Sequence, residues 1–265
     1  VVPPPVKEEA ARLRIPVYQP EKAHHPDSVA RIASESPELI VVAAYGHILP
    51  KSILDIPRMG CINVHASLLP RYRGAAPINW AVARGETVTG ITIMRMDEGM
   101  DTGPMLHVRE LPIGEQDNAG TLYEKLSVLG AEALVEALAM MRAGTLIETP
   151  QDTALATYAP MLRKEHGRLD WSKPAKEIRN LVRGMTPWPA ATAEHGGKAL
   201  KVLAAAVTPG AGAPGEVVAV DRAGISVACG EGVLRLTVVQ PEGGKAMDAW
   251  AYAQGRRMSG GERLS

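Results

Sequence analysis

An asparagine and a histidine stand two residues apart at the end of a short, mostly apolar run, Cys61–His65. Alternate residues of a β-strand share a face, so Asn63 and His65 should point the same way, with Cα atoms about 6–7 Å apart. An amide N–H and a protonated imidazole can both donate to an oxyanion, and histidine moves protons near neutral pH. The pair suits direct attack of an amine on a carbonyl carbon, which needs no nucleophilic serine or cysteine.

A loop rich in carboxylates, residues 97–103, follows the next predicted strand and could supply a third group. It contains Asp97, Glu98 and Asp101. A carboxylate near the pair would stabilise an imidazolium or accept the proton that the attacking amine sheds. The alternative is that the asparagine and histidine are ordinary packed or solvated residues, and the residue types alone leave both interpretations open.

Three other kinds of site are disfavoured by spacing. In a strand that rises ~3.3 Å per residue, Cys61 and His65 would lie about 13 Å apart, too far for a catalytic thiol and imidazole. The G-x-G-x-x-G pattern at residues 210–215 leads into a predicted strand instead of a helix, so it predicts a turn and not a phosphate site. His24 and His25 lack metal-ligand spacing, so no metal is expected.

The elements that must position these groups alternate between strand and helix patterns over residues 1–146. The apolar run 39–44 is typical of a strand covered on both faces, and 121–142 is an amphipathic helix closed by Gly144. The other predicted strands are 15–18, 61–65, 89–96 and 105–111, and the other predicted helices are 6–13, 26–36, 50–55 and 75–84. This order predicts an α/β domain with a mostly parallel, Rossmann-like sheet, whose ligands bind at the carboxyl ends of the strands.

A different pattern begins after a linker at residues 147–165. Residues 173–183 favour a helix, and short strands separated by turn residues follow it. The predicted strands are 198–207, 215–220, 225–228 and 233–239, and a last helix is predicted over 246–254. The pattern predicts a small, OB-like β-barrel domain over residues 166–265.

Charge is divided unequally between the two predicted domains. The chain has 29 basic and 29 acidic residues, which excludes a polybasic tail protein. Residues 1–165 contain 16 basic and 20 acidic side chains, and residues 166–265 contain 13 and 9, so the net charges are −4 and +4. The split is either chance or the sign of a polyanionic partner, for which Lys173, Lys176 and Arg179 are candidate contacts.

Two cysteines in 265 residues exclude a disulfide scaffold. Cys61 and Cys229 are therefore predicted to be buried, reduced thiols. No apolar run approaches the ~18–20 residues that span a membrane. We expect a cytoplasmic monomer without a membrane partner.

Two stretches of the chain resemble the folate-dependent formyltransferase family. They are NVHASLLPRYRGAAPINW at 63–80 and TGITIMRMDEGMDTGPML at 89–106. The family pattern is an asparagine, a histidine two residues later, an S-L-L-P loop, and an aspartate in a D-x-G loop about 35 residues further on. AYGHILP at 44–50, TYAPML at 157–162 and PWPA at 187–190 agree with it as well, so the resemblance runs from about Pro5 to about Arg263.

The resemblance implies roles for individual residues. Asn63, His65 and Asp101 match the catalytic trio of the family. The segment that matches the folate contact is Ser67, Leu68, Leu69 and Pro70. The pattern is most similar to members that use 10-formyltetrahydrofolate, without a metal, to formylate the α-amine of methionyl initiator tRNA.

Other functions remain open beside this one. The acceptor could be a small amine such as an amino sugar or glycinamide ribonucleotide, or water, which would make the protein a formyltetrahydrofolate hydrolase. A folate- or RNA-binding protein with a relic site is the non-enzymatic alternative. The family pattern also begins with a strand, a glycine-bearing loop, a helix and a second strand, so about forty residues of it are expected to be missing ahead of Val1.

Overall fold

The computed structural model describes residues 3–265, and its first half is built on a four-stranded sheet. The strands of this half are β1 (Ile40–Ala43), β2 (Cys61–His65), β3 (Arg73–Gly74), β4 (Val88–Arg95) and β5 (Met105–Pro112). The helices are α1 (Pro5–Arg12), α2 (Pro26–Ser34), α3 (Lys51–Leu54), α4 (Pro77–Ala83) and α5 (Ala119–Ala143). The sheet order is β1-β2-β4-β5, and β3 lies outside it.

The predicted α/β class is confirmed, and the sheet proves to be mixed. β1 and β2 are parallel, so parallel order holds for the pair that carries Asn63 and His65. β4 runs antiparallel to both of its neighbours, β2 and β5. The link from β4 to β5 is the loop 96–104, which contains no helix, and a connection of that kind joins antiparallel strands.

The strand predicted over residues 15–18 is wrong. Ile15, Val17 and Tyr18 are exposed, and among residues 3–265 no strand pairs with this segment. Pro16 has no backbone N–H to donate, which weakens any ladder the segment could form. An apolar run with strand composition stays irregular when no neighbouring strand pairs with it.

Helix α5 covers one face of the sheet at very close range. A Cβ placed on Gly130 would lie 3.2 Å from Val64 Cγ1 and 3.5 Å from Ile91 Cδ1. The helix buries a stripe of small and aliphatic residues that includes Leu122, Leu126, Ala133 and Ala137. Since Val64 points towards α5, its neighbours Asn63 and His65 point to the opposite face.

The second half is an antiparallel sheet. Its strands are β7 (Ala191–His195), β8 (Lys198–Thr208), β9 (Val217–Asp221), β10 (Gly224–Ala228), β11 (Val233–Pro241) and β12 (Met247–Asp248), and it follows β6 (Tyr158–Ala159), which pairs with β3. The ladder order is β7-β8-β11-β10-β9, with β12 beside β11. Residues 262–265 close the gap between the outer strands, because Ser265 bonds Glu194 while Glu262 and Leu264 bond Val217 and Gly215. The α-helices of this half are α6 (Ala175–Met185) and α7 (Ala249–Arg256), and two short 3-10 helices precede them at Thr153–Leu155 and Lys164–Gly167.

Helix α6 joins the two halves by packing against α4. A Cβ on Gly184 would lie 2.6 Å from Ala83 Cβ, so only glycine permits this approach. Asn79 Nδ2 donates to the Gly184 carbonyl oxygen at 2.8 Å. Arg179 ion-pairs with Glu115 at 3.0 Å across the same seam. The expectation that Arg179 meets a polyanion is therefore not supported, whereas Lys173 and Lys176 are exposed.

Both cysteines are buried free thiols, as the sequence predicted. Burial raises the pKa of Cys61, and it raises the pKa of Cys229 to about 11. Neither group is therefore prepared for thiolate chemistry. Within residues 3–265, no helix combines the length and the apolar character needed to cross a membrane.

The N-terminal end of α5 is held by a buried carboxylate. Asp117 accepts hydrogen bonds from Lys125 Nζ at 2.7 and 2.8 Å, from the Gly114 N–H at 2.8 Å and from the Thr121 hydroxyl at 3.0 Å. Burial raises the pKa of Asp117, but these donors outweigh it and hold the pKa below its usual range. The carboxylate is therefore a stabilising anion at a helix start.

Replacing Asp117 by alanine should lower the free energy of unfolding by about 2 kcal/mol, because charge-assisted hydrogen bonds are lost. Since the folded pKa is depressed, this stabilisation is present above the unfolded pKa of about 4 and fades as pH falls through the folded value. Urea unfolding at pH 7 and pH 3 measures both effects. Glu124→Ala, at an exposed position on the same helix, is the control, and an equal loss in both variants would refute the assignment.

Candidate active site

Three polar side chains meet at the carboxyl end of β2. Asn63 Nδ2 donates to Asp101 Oδ1 at 3.5 Å, and His65 Nδ1 lies 3.6 Å from the same oxygen. The second oxygen of Asp101 accepts the Gly74 N–H at 2.8 Å. The structure thus brings together all three residues that the sequence singled out, at a strand end where an α/β fold presents its ligands.

The imidazole of His65 is oriented by a backbone oxygen. Its Nε2 lies 3.0 Å from the Tyr72 carbonyl oxygen, and because a carbonyl can only accept, Nε2 carries a hydrogen. Nδ1 is then the atom that faces Asp101 and the position at which a proton can be taken up. His65 is only 5% exposed, so little water competes for these contacts.

Tyr72 is itself fixed from several sides. Its hydroxyl donates to Glu86 Oε1 at 2.6 Å, and the Arg84 guanidinium lies 5.2 Å from the ring centroid. Burial and the adjacent Glu86 raise the pKa of Tyr72 to about 12, so the phenol stays protonated. The carbonyl that orients His65 is therefore part of a well-anchored residue.

The loop after β4 forms a turn that directs the Asp101 side chain towards His65. Asp97 Oδ1 accepts the Gly99 N–H at 3.0 Å and the Thr102 hydroxyl at 2.6 Å, which closes a tight turn. Asp101 has φ +53°, in the left-handed region that non-glycine residues rarely adopt. Gly103 packs against the Arg95 carbonyl so closely that any Cβ would collide with it. The turn thus aims one of the three carboxylates of the loop at the histidine.

The segment Ser67–Pro70 folds back over β4. The Thr92 hydroxyl donates to the Ser67 carbonyl at 2.7 Å and accepts the Leu69 N–H at 3.2 Å. Ser67 and Leu69 are buried, and the Ser67 hydroxyl donates to the Arg71 carbonyl at 2.7 Å. Leu68 and Pro70 are the members of this segment that keep partial exposure. A contact to folate therefore remains a prediction, for which these two residues are the accessible ones.

The segment between the two halves contacts the residues that form the site. β6 pairs in parallel with β3, Arg73 opposite Tyr158 and Gly74 opposite Ala159. The Thr157 hydroxyl accepts the Tyr72 N–H at 2.9 Å. The region that the sequence presents as a linker is therefore a structural part of the site.

Sequence reasoning missed the residues that hold this arrangement. Arg73 is 3% exposed and donates to Gln151 Oε1, while Gln151 Nε2 donates to the Asp101 backbone oxygen. An arginine in a glycine- and arginine-rich loop and a glutamine in an irregular segment carry no periodic signal. Tertiary contacts bring the two together, since Arg73 lies in β3, which pairs with β6, and Gln151 follows Thr149, which forms a bridge with Met105.

The grouping of histidine, cysteine and acidic side chains bears on the kind of chemistry that the site can do. Among residues 3–265 there is no group of three or more histidine, cysteine, aspartate or glutamate side chains arranged to hold a metal ion. The Asn63, His65 and Asp101 side chains instead form a hydrogen-bonding set of one amide, one imidazole and one carboxylate. Such a set can polarise a carbonyl group and move a proton.

Comparison with known families agrees with this chemistry. The family described as "Formyl transferase" matches residues 3–138, and "Formyl transferase, C-terminal domain" matches residues 161–257. The chain belongs to the formyltransferase family. The expectation drawn from the sequence motifs is thus confirmed, and the protein is an enzyme of this class.

Relatives of this formyltransferase are close in sequence. The "Methionyl-tRNA formyltransferase" of Geobacter metallireducens is 52% identical over 264 residues, which cover 100% of this chain and 85% of that protein. The protein of the same name from Pseudomonas fluorescens is 50% identical over 248 residues, covering 94% of this chain and 78% of that protein.

Solved structures share the fold at lower identity. The sugar 3N-formyl transferase WlaRD has a TM-score of 0.67 at 16% identity and covers 87% of this chain and 80% of its own. HypX from Aquifex aeolicus, in complex with tetrahydrofolic acid, has a TM-score of 0.66 at 22% identity and covers 86% and 41%. At these identities the likeness establishes the fold alone.

The β3–β6 contact predicts a specific sensitivity at Gly74. Gly74 has φ +115°, and an added Cβ would lie 2.7 Å from the Ala159 carbonyl oxygen, so Gly74→Ala should lower the free energy of unfolding by about 2–4 kcal/mol. Gly144→Ala is the control, because φ is +70° there but nothing lies within 4 Å of the new methyl. It should lose only about 1–2 kcal/mol. Urea denaturation compares the two, and equal losses would argue against the close contact.

Proposed function

We propose that the protein transfers the formyl group of 10-formyltetrahydrofolate to the α-amine of methionyl initiator tRNA, in the cytoplasm. The observation that supports this reaction is that the Asn63 amide and the His65 imidazole both face the Asp101 carboxylate at the end of β2. The acceptor is supported by relatives named methionyl-tRNA formyltransferase at about 50% identity over nearly the whole chain.

The proposed chemistry assigns one task to each side chain. The Asn63 amide has two N–H groups, and its bond to Asp101 uses one, which leaves the other for the formyl oxygen. As the amine nitrogen forms the new C–N bond, the electron pair of the C=O bond moves to oxygen. That oxyanion is stabilised by Asn63 and by a proton on His65.

Proton transfer balances the reaction. When the oxyanion collapses, the bond between the formyl carbon and the folate nitrogen breaks, and that nitrogen takes up one proton while the new amide loses one. Asp101, beside His65 Nδ1, is placed to carry this proton between the two. The amine must attack as the neutral base, and an α-amine with a pKa of about 7.7–8.0 supplies enough of it at neutral pH.

The second domain is proposed to bind the tRNA. We divide the chain into a catalytic domain at residues 1–146, a connecting segment at 147–165 and a tRNA-binding domain at 166–265, which carries the net charge of +4. Lys176, in the first turn of α6, and Lys173, two residues before this helix, are exposed, whereas Arg179 is engaged with Glu115. The two lysines are therefore the cations near the start of α6 that remain free to meet phosphates.

The assay that tests this function offers the protein three acceptors. Formyl transfer from 10-formyltetrahydrofolate is measured to methionyl initiator tRNA, to an amino-sugar nucleotide and to water as released formate. Transfer to the tRNA alone supports the proposal. Faster transfer to the amino sugar, or formate release without any acceptor, would replace it with one of the two alternative activities.

Loss of the Asn63 amide should slow the chemical step. Asn63→Ala is expected to lower the single-turnover rate by about 10²–10³, the usual effect of removing one oxyanion donor. Asn118→Ala, which removes the N-cap of α5, serves as control and should change stability without changing the rate. A loss below tenfold in Asn63→Ala would end the oxyanion assignment.

Removing the two lysine charges near the start of α6 should weaken tRNA binding in a salt-dependent way. The double variant Lys173→Gln with Lys176→Gln is expected to lower the slope of log K against log salt by about 1.4–1.8, since each phosphate contact contributes about 0.7–0.9. Filter binding between 50 and 300 mM salt measures the slope. Neutralising Arg58 and Arg142, exposed in the first domain, is the matched control. Equal slopes in the two double variants would contradict a role for α6.

A further inference from the structure

The carboxamide of Gln151 lies between a buried arginine and the loop that carries Asp101. Gln151 Nε2 donates to the backbone oxygens of Asp101 at 2.8 Å and Gly103 at 2.7 Å. Gln151 Oε1 accepts from Nε and Nη2 of Arg73 at 3.0 and 2.7 Å. Two donated and two accepted bonds are the full capacity of a primary amide, so this side chain is completely engaged.

The arginine makes these bonds stronger than ordinary amide contacts. Arg73 is 3% exposed, and within residues 3–265 no carboxylate forms an ion pair with it. Its charge is therefore directed at the Gln151 oxygen. A cationic donor polarises the amide and strengthens the bonds that the same amide donates on its other side.

Two consecutive residues of β3 hold both the backbone and the side chain of Asp101. The Arg73 side chain reaches the Asp101 backbone oxygen through Gln151, while the next residue, Gly74, donates its N–H to the Asp101 carboxylate. Asp101 holds a left-handed backbone conformation, which persists only when its surroundings enforce it. The Gln151 amide spans the two carbonyls of this turn and supplies that constraint.

We propose that Gln151, held by Arg73, is a positioning residue that sets the place of the Asp101 carboxylate beside His65. It touches none of the reacting atoms and acts only through the loop. The inference rests on the proposed function for its kinetic consequence. Its structural consequence, a fixed carboxylate, holds whatever acceptor the enzyme uses.

Two substitutions separate the donor role of Gln151 from mere packing. Gln151→Met keeps the size and removes all four bonds. Gln151→Glu keeps an acceptor for Arg73 and loses the donors to the two carbonyls. Gln240→Met is the matched control, because Gln240 Nε2 also donates to a backbone oxygen, that of Gly244 at 2.8 Å, in the second domain.

The expected kinetic result is a loss of kcat with an unchanged KM for the folate. A displaced catalytic group costs on the order of 10²-fold, so Gln151→Met should lose about that much. Gln151→Glu should lose at least as much, although it keeps its contact with Arg73. Gln240→Met should retain full kcat. Wild-type kcat in Gln151→Glu, or an equal loss in Gln240→Met, would overturn the proposal.

Hydrogen exchange of the Gly74 amide tests the same inference without any assay of activity. That N–H is protected by the Asp101 carboxylate, so its exchange should become at least tenfold faster in Gln151→Met, while the amides of β8 keep their rates. Unchanged exchange at Gly74 would overturn the positioning role. If the wild-type protein fails to formylate methionyl-tRNA, the proposed function falls, and this measurement still decides the role of Gln151.

Discussion

A carboxylate that is shielded from most of the solvent needs hydrogen-bond donors around it, and the rest of the site is arranged to meet this need of Asp101. Its side chain is 16% exposed, and its two oxygens face the Gly74 N–H, the Asn63 amide and the His65 imidazole. Removing such a charge from water costs several kcal/mol unless it is paired or hydrogen-bonded. The groups that meet this cost are also the groups that can do chemistry, so stability and reactivity depend on the same contacts.

The groups around Asp101 come from segments far apart in sequence. β2 supplies the amide and the imidazole, β3 supplies a backbone N–H, and the segment before β6 supplies the glutamine that holds the loop. β3 is placed by its parallel pairing with β6. The site is therefore complete only when the chain between the two domains has folded back onto the first.

The part of this arrangement that follows a local pattern could be predicted. The two-residue spacing of Asn63 and His65 in a strand placed both side chains on one face. The loop after the next strand was expected to bring a carboxylate to them, and the choice of Asp101 came from the resemblance to formyltransferases. The strand at residues 39–44 and the long amphipathic α5 were likewise predictable. The expectation that this strand is covered on both faces is wrong, because β1 lies at the edge of the sheet and Val41 is 42% exposed. For Asn63 and His65, for β1 and for α5, the residue pattern of one element determined the outcome.

What could not be predicted depends on partners distant in sequence. Residues 15–18 have the composition of a strand but no neighbouring strand, and β7 pairs with β8 although its sequence contains a glutamate and a histidine. Arg179 looks like a surface cation until the fold puts Glu115 beside it. Gln151 gives no signal at all, because its role arises from an arginine and a loop that only the tertiary structure brings near it.

The glycine contact between α4 and α6 has a consequence for the choice of substrate. Because Gly184 packs against Ala83 and its carbonyl oxygen accepts a hydrogen bond from Asn79, the seam favours one distance between the exposed lysines near the start of α6 and the Asp101 carboxylate. On the proposed function, the two domains together therefore discriminate between acceptors by their length. An acceptor is selected by its length as well as its chemistry, because only a molecule that reaches from one end of the span to the other gains both sets of contacts.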